Sequence, residues 1–124
     1  SNTIQLTLIG DGSEAVGTDT ITAVSNIKLW KVVVTSSNNS YLVQDTLQIP
    51  YKMKIDCIDA ATNSFSDFVS VPTGGGSLTF TKKTKKGGSV LSITVKVENQ
   101  DITDELYEAG NNYVDTLVFT ISVN

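Results

Sequence analysis

The alternation of the final stretch, Tyr107 to Asn124, limits most strongly what this chain can fold into. Tyr113, Leu117, Phe119, Ile121 and Val123 share one phase, and Val114, Thr116, Val118, Thr120 and Ser122 share the other. A two-residue period in β-branched and aromatic residues predicts a long strand. Ahead of it, Gly110 lies three residues before Tyr113, which is the spacing of a tyrosine corner in a β-sandwich. The sequence ends with that strand, so the expected sandwich lacks its last strand and the Tyr113–Val123 run has an open edge.

The remaining segments read as further strands and turns. Thr3 to Gly10 alternates with Ile4, Leu6 and Leu8 in one phase, and residues 1–10 are expected to form an edge or donor strand. Residues 11–20, with Gly12 and Gly17, read as a linker loop. Ile21 to Thr35 reads as one strand region in which Ile27 and Leu29 fall out of phase with Trp30, Val32 and Val34. A bulge near residues 29–30, or burial on both faces, would reconcile them. Ser36 to Ser40 is a polar turn, and its Asn38-Asn39-Ser40 pattern reads as turn chemistry rather than a glycan acceptor.

Leu47, Ile49, Tyr51, Met53, Ile55 and Cys57 form the cleanest apolar phase, with Pro50 favouring an edge position or a bulge. Leu78–Lys86 and Ser89–Val97 read as a hairpin turning at Gly87 and Gly88, which would set Phe80 opposite Val95 and Leu78 opposite Val97. Asp101 to Glu108 has room for one helical turn. The sum is a single domain, residues 1–124: an all-β, antiparallel Greek-key immunoglobulin-like β-sandwich of about seven strands.

Composition narrows the chemistry. The net charge of −4 argues against nucleic acid as a partner. All nine cations are Lys; with Arg absent there is no guanidinium fork for bidentate phosphate or carboxylate binding. His is absent too, which removes the usual general base and the usual metal ligand. Cys57 stands alone and reads as a small hydrophobe, since no His can activate it. No apolar run is long enough to span a membrane as a helix. No enzyme, no cofactor and no resident metal is expected.

Several side-chain groups still need weighing. Lys82, Lys83, Lys85 and Lys86 could touch acidic glycans or lipid head groups; the plainer role is to keep a protruding hairpin soluble and blunt an edge. Asp101, Asp104, Glu105 and Glu108 could hold Ca²⁺, but they lack EF-hand spacing and read as a solvated loop, as do the weaker Asp11, Glu14 and Asp19. Trp30, Tyr41, Phe65 and Phe68 could form a sugar-stacking platform, although a lone Trp in a strand is more often core.

The run Ala109, Gly110, Asn111, Asn112, Tyr113, Val114, Asp115, Thr116, Leu117, Val118, Phe119, Thr120, Ile121 resembles the last strand of chaperone–usher pilins, especially the group with spore-coat-U-like subunits. The head, Thr3 to Gly10, is similar to a pilin N-terminal extension. The chain departs from the pattern in the extra Asn between Gly110 and Tyr113, and in having no second Cys for an early disulfide. The resemblance implies an immunoglobulin-like sandwich whose missing strand leaves an acceptor groove at Leu117, Phe119 and Ile121. Ile4, Leu6 and Leu8 of a donor strand would fill that groove, and Gly110 with Tyr113 would form the corner. It implies a bacterial cell-surface or pilus subunit that is secreted, with other copies or sister subunits as partners by strand exchange. A periplasmic chaperone would act before assembly, and a host receptor or glycan would be met at the surface. Two further readings stand beside it: a self-contained immunoglobulin-like module of a larger secreted surface protein, and a small carbohydrate-binding β-sandwich. A hydrolase is a more distant fourth.

Overall fold

The structure, a computed structural model, describes residues 2–9, 15–44, 47–97 and 112–123, with side chains over 18–43, 48–97 and 115–123. The described residues are all-β and antiparallel. In chain order the strands are β1 (Asn2–Ile9), β2 (Ala15–Ala23), β3 (Trp30–Ser36), β4 (Tyr41–Gln44), β5 (Leu47–Pro50), β6 (Lys52–Asp56), β7 (Thr62–Asn63), β8 (Gly76–Phe80), β9 (Ser89–Val97) and β10 (Asn112–Val123). One sheet has the order β5-β4-β10-β3-β8-β7, with β1 on the free side of β10; the other has the order β2-β9-β6.

The two sheets bury one shared apolar cluster. Val32, Val34, Leu78, Phe80, Leu117 and Phe119 enter it from the larger sheet, and Met53, Ile55, Leu91, Ile93 and Val95 from the smaller. Burial alternates along β8 and β9, as half-buried strands require. Trp30 and Phe80 are register partners, and their rings stack with centroids 3.9 Å apart and planes within 8°. Trp30 Nε1 donates to the Lys82 carbonyl at 2.9 Å, so the indole is buried with its one donor satisfied.

Four readings of the sequence are corrected here. Leu78–Phe80 and Ser89–Val97 are not a hairpin: β8 pairs with β3, and β9 lies in the other sheet between β2 and β6. An apolar phase must face the core, and it does so equally well across a hairpin or across two sheets, so alternation alone cannot separate the two. Residues 81–88 are the crossover between sheets.

Residues 15–20, read as linker, belong to β2, which pairs with β9 along its whole length. Thr18, Asp19 and Thr20 are all exposed. As an edge strand held by its backbone ladder, β2 leaves no burial pattern there to read.

The Ile21–Thr35 region is two strands in different sheets. Residues 24–29 cross between them, and Ile27 and Leu29 are exposed, so neither a bulge nor two-sided burial is needed. Leu47–Cys57 likewise divides at Tyr51, with β5 an edge of the larger sheet and β6 an edge of the smaller. Pro50 therefore does sit on an edge strand, where its missing donor costs no ladder bond on the solvent side. The helical turn expected at Asp101–Glu108 lies outside the described residues.

Candidate functional site

The final strand has a neighbour on each edge. Toward one side, Leu117 to Val123 pair with Ser36 to Trp30 of β3. Toward the other, Asn112 to Phe119 pair with Ile9 to Asn2 of β1. Leu117, Val118 and Phe119 thus lie between two strands at once. The register sets Ile4 opposite Leu117, Leu6 opposite Asp115 and Leu8 opposite Tyr113. The expected donor strand and the expected acceptor strand are brought together, within one chain.

Leu117 and Phe119 are buried, whereas Ile121 is 44% exposed and does not line a closed slot. Its register partner Val32 is buried. Among the described residues β1 pairs with β10 as far as Phe119, so Ile121 lies beyond that pairing. Of the expected tyrosine corner, Gly110 lies outside the described residues and Tyr113 is placed only by its backbone pairing with Leu8.

Just behind this seam is a buried polar cluster. Continuing the β3 register would put Asn39 opposite Val114; Val43 is there instead, so residues 37–40 are an inserted loop between β3 and β4. Asn39 and Ser40 adopt φ of 52° and 68°, a left-handed conformation unusual for side chains with a Cβ. Hydrogen bonds hold them there. Asp115, only 1% exposed, sits in the apolar phase of β10. Its Oδ1 accepts the Asn38 N–H at 3.0 Å, and its Oδ2 accepts the hydroxyls of Ser36 and Tyr51. Ser36 Oγ in turn accepts the Ser40 N–H at 2.8 Å. Ser40 Oγ donates to the Tyr51 carbonyl at 2.7 Å and accepts the Val71 N–H at 3.0 Å. The Tyr51 N–H closes the circuit on the Ser40 carbonyl at 3.0 Å.

A buried carboxylate is tolerable only when its lone pairs are filled, and three donors converge on this one. Burial, and then the neighbouring Asp115 carboxylate, push the Tyr51 hydroxyl well above its ordinary value, so it stays a neutral donor. The cluster holds no activated nucleophile. What it does is clamp the inserted loop and the β5–β6 corner onto the strand that pairs with β1. Reading the sequence missed this cluster; the one signal for it is an Asp in the apolar phase of a strand.

The other candidates do not assemble. Trp30 and Phe65 are core, while Tyr41 is exposed and Phe68 is half-buried with Lys96 Nζ 5.7 Å from its ring centroid, so the four aromatics form no common platform. Cys57 is half-buried at the edge of the core, and burial raises its thiol pKa. Asp19 is exposed and accepts the Thr20 N–H at 2.7 Å. Asp11, Glu14 and the Asp101–Glu108 group lie outside the described residues. No helix among the described residues is long and apolar enough to cross a membrane.

Comparison of the chain with family models, with curated proteins and with solved structures gave no match.

Proposed function

We propose that the chain is a bacterial cell-surface or pilus subunit with a structural or adhesive role, built on an immunoglobulin-like Greek-key sandwich and assembled by strand complementation. One observation carries the reading. β1 fills the second edge of β10 through eight antiparallel pairs and pairs with no other strand of the described fold. A strand attached through a single seam can be exchanged for the same strand of another copy without disturbing the rest of either sheet. Main-chain bonds would give such a joint its affinity, and Ile4, Leu6 and Leu8 its register. Each subunit would then give one strand and receive one, a head-to-tail contact that propagates as a fibre. A secreted location and a chaperone strand occupying the edge before assembly follow from the same reading.

A second reading draws on the same seam. Because the strand beside β10 comes from the same chain, the protein also suits a self-contained module of a larger secreted surface protein.

Removing residues 1–10 and adding back a peptide of that sequence tests the proposal. A strand-exchanging subunit loses stability on truncation and regains it with the peptide. An unchanged melting temperature after truncation would overturn the proposal.

A further inference from the structure

One end of the molecule combines features that neither strand exchange nor core packing uses. The crossovers 24–29 and 81–88 leave the sheets together, since Ala23 pairs with Ser89 and Trp30 with Phe80. They are stitched side by side: the Ser25 N–H donates to Thr84 Oγ1 at 3.0 Å, and the Thr84 N–H donates to the Ser25 carbonyl at 3.0 Å. A Cβ on Gly88 would stand 2.8 Å from the Ala23 carbonyl oxygen, so the two chains touch. The 58–59 turn joins the same end through the Ser89 hydroxyl, which donates to Asp59 Oδ2 at 2.8 Å.

This end is basic and aliphatic. Lys28, Lys82, Lys83, Lys85 and Lys86 are all exposed here, five of the nine lysines of a chain whose net charge is −4. Between them stand Val24, Ile27 and Leu29, each exposed, and Ile58, fully exposed. Among the described residues the nearby carboxylates are Asp59, engaged by Ser89, and Asp56, 3.8 Å from Lys54 Nζ. Trp30 and Phe80, the aromatic residues closest to this end, are buried.

We infer that this end docks on an anionic lipid surface, with the lysines at the head groups and the aliphatic side chains of the two loops entering the interface. Clustered lysines gain from the negative potential of such a surface, and exposed aliphatic side chains beside them gain by leaving water. An acidic polysaccharide would use the charge but has no use for the aliphatic tips, and no exposed aromatic face for a sugar to stack on stands among the described residues of the two loops. Local charge decides the contact despite the opposite net charge, because exposed charges beyond roughly 8 Å are screened at physiological salt.

Flotation of the full chain with vesicles tests this. One set is phosphatidylcholine alone, the other equal parts phosphatidylcholine and phosphatidylglycerol. The wild type floats with the second set only, and less so as salt rises. Replacing Lys82, Lys83, Lys85 and Lys86 with Glu abolishes flotation. The Ile27→Ser, Ile58→Ser double variant binds about tenfold more weakly with the salt dependence kept. Both of its positions are exposed, so its circular dichroism and melting match the wild type. Three results would overturn the inference: equal or absent flotation with both vesicle sets; binding to a soluble sulfated polysaccharide with no vesicle binding; or loss of a self-associated species in the double variant with no vesicle binding.

Discussion

The hydroxyl of Tyr51 donates a hydrogen bond to the carboxylate of Asp115, and this one contact joins the corner where the chain changes sheets to the strand that receives β1. The two residues are 64 positions apart in sequence, and both are about 1% exposed. Removing either partner leaves the other buried and short of a partner.

Tyr51→Phe keeps the ring and removes one charge-assisted bond, so denaturant unfolding should show a loss of about 1.5–3 kcal/mol. Asp115→Asn turns an acceptor into a donor facing two hydroxyls and should cost about 1–3 kcal/mol. The double variant should lose less than the sum, since both changes break the same bond. Additive losses would mean that the contact carries little stability.

Alkaline pH should expose the same contact. The folded-state pKa of Tyr51 lies above its ordinary value of 10.0. Its contribution is therefore fully present below pH 10 and is lost as pH climbs above that, when the unfolded chain releases the proton that the folded chain retains. Stability measured from pH 9 to 11 should fall with a slope approaching about 1.4 kcal/mol per pH unit beyond the slope of Tyr51→Phe. Parallel slopes for the two proteins would contradict this.

Gly76 on β8 lies under the Phe65 ring, where a Cβ would come within 2.5 Å of Phe65 Cζ. Phe65 is fully buried, so the ring cannot swing into solvent. Gly76→Ala should destabilise by about 1–3 kcal/mol through overpacking. Adding Phe65→Leu should recover part of that loss, which a denaturation curve of the double variant would reveal.

How much of this was legible in the sequence follows from what alternation can encode. The phases of β3, β8, β9 and β10 were readable because each buries one face, and the pairing partners were not. Phe80 and Val95 satisfy the same burial whether they are neighbours in a sheet or face each other across the core. Tyr51 continued the apolar phase of residues 47–57 without interruption, although the chain changes sheets there. The Thr-rich half of β2 was hidden because its pairing lies in the backbone. Asp115 was passed over, although it is a polar residue in an apolar phase, and its partners come from segments that only the fold brings close. The shared phase of Ile4, Leu6 and Leu8 was readable by alternation, and the register of β1 against β10 was not.

The central claim, that the β1 seam can form between chains as well as within one, is tested most directly by cross-linking across it. Thr3 and Val118 are register partners. A chain carrying Thr3→Cys and Val118→Cys, with Cys57→Ser to remove the native thiol, should be refolded over a range of concentrations, oxidised, and run on a non-reducing gel. The account predicts an intrachain disulfide at low concentration and a ladder of covalent dimers, trimers and longer species as concentration rises. An intrachain disulfide alone at every concentration would contradict it.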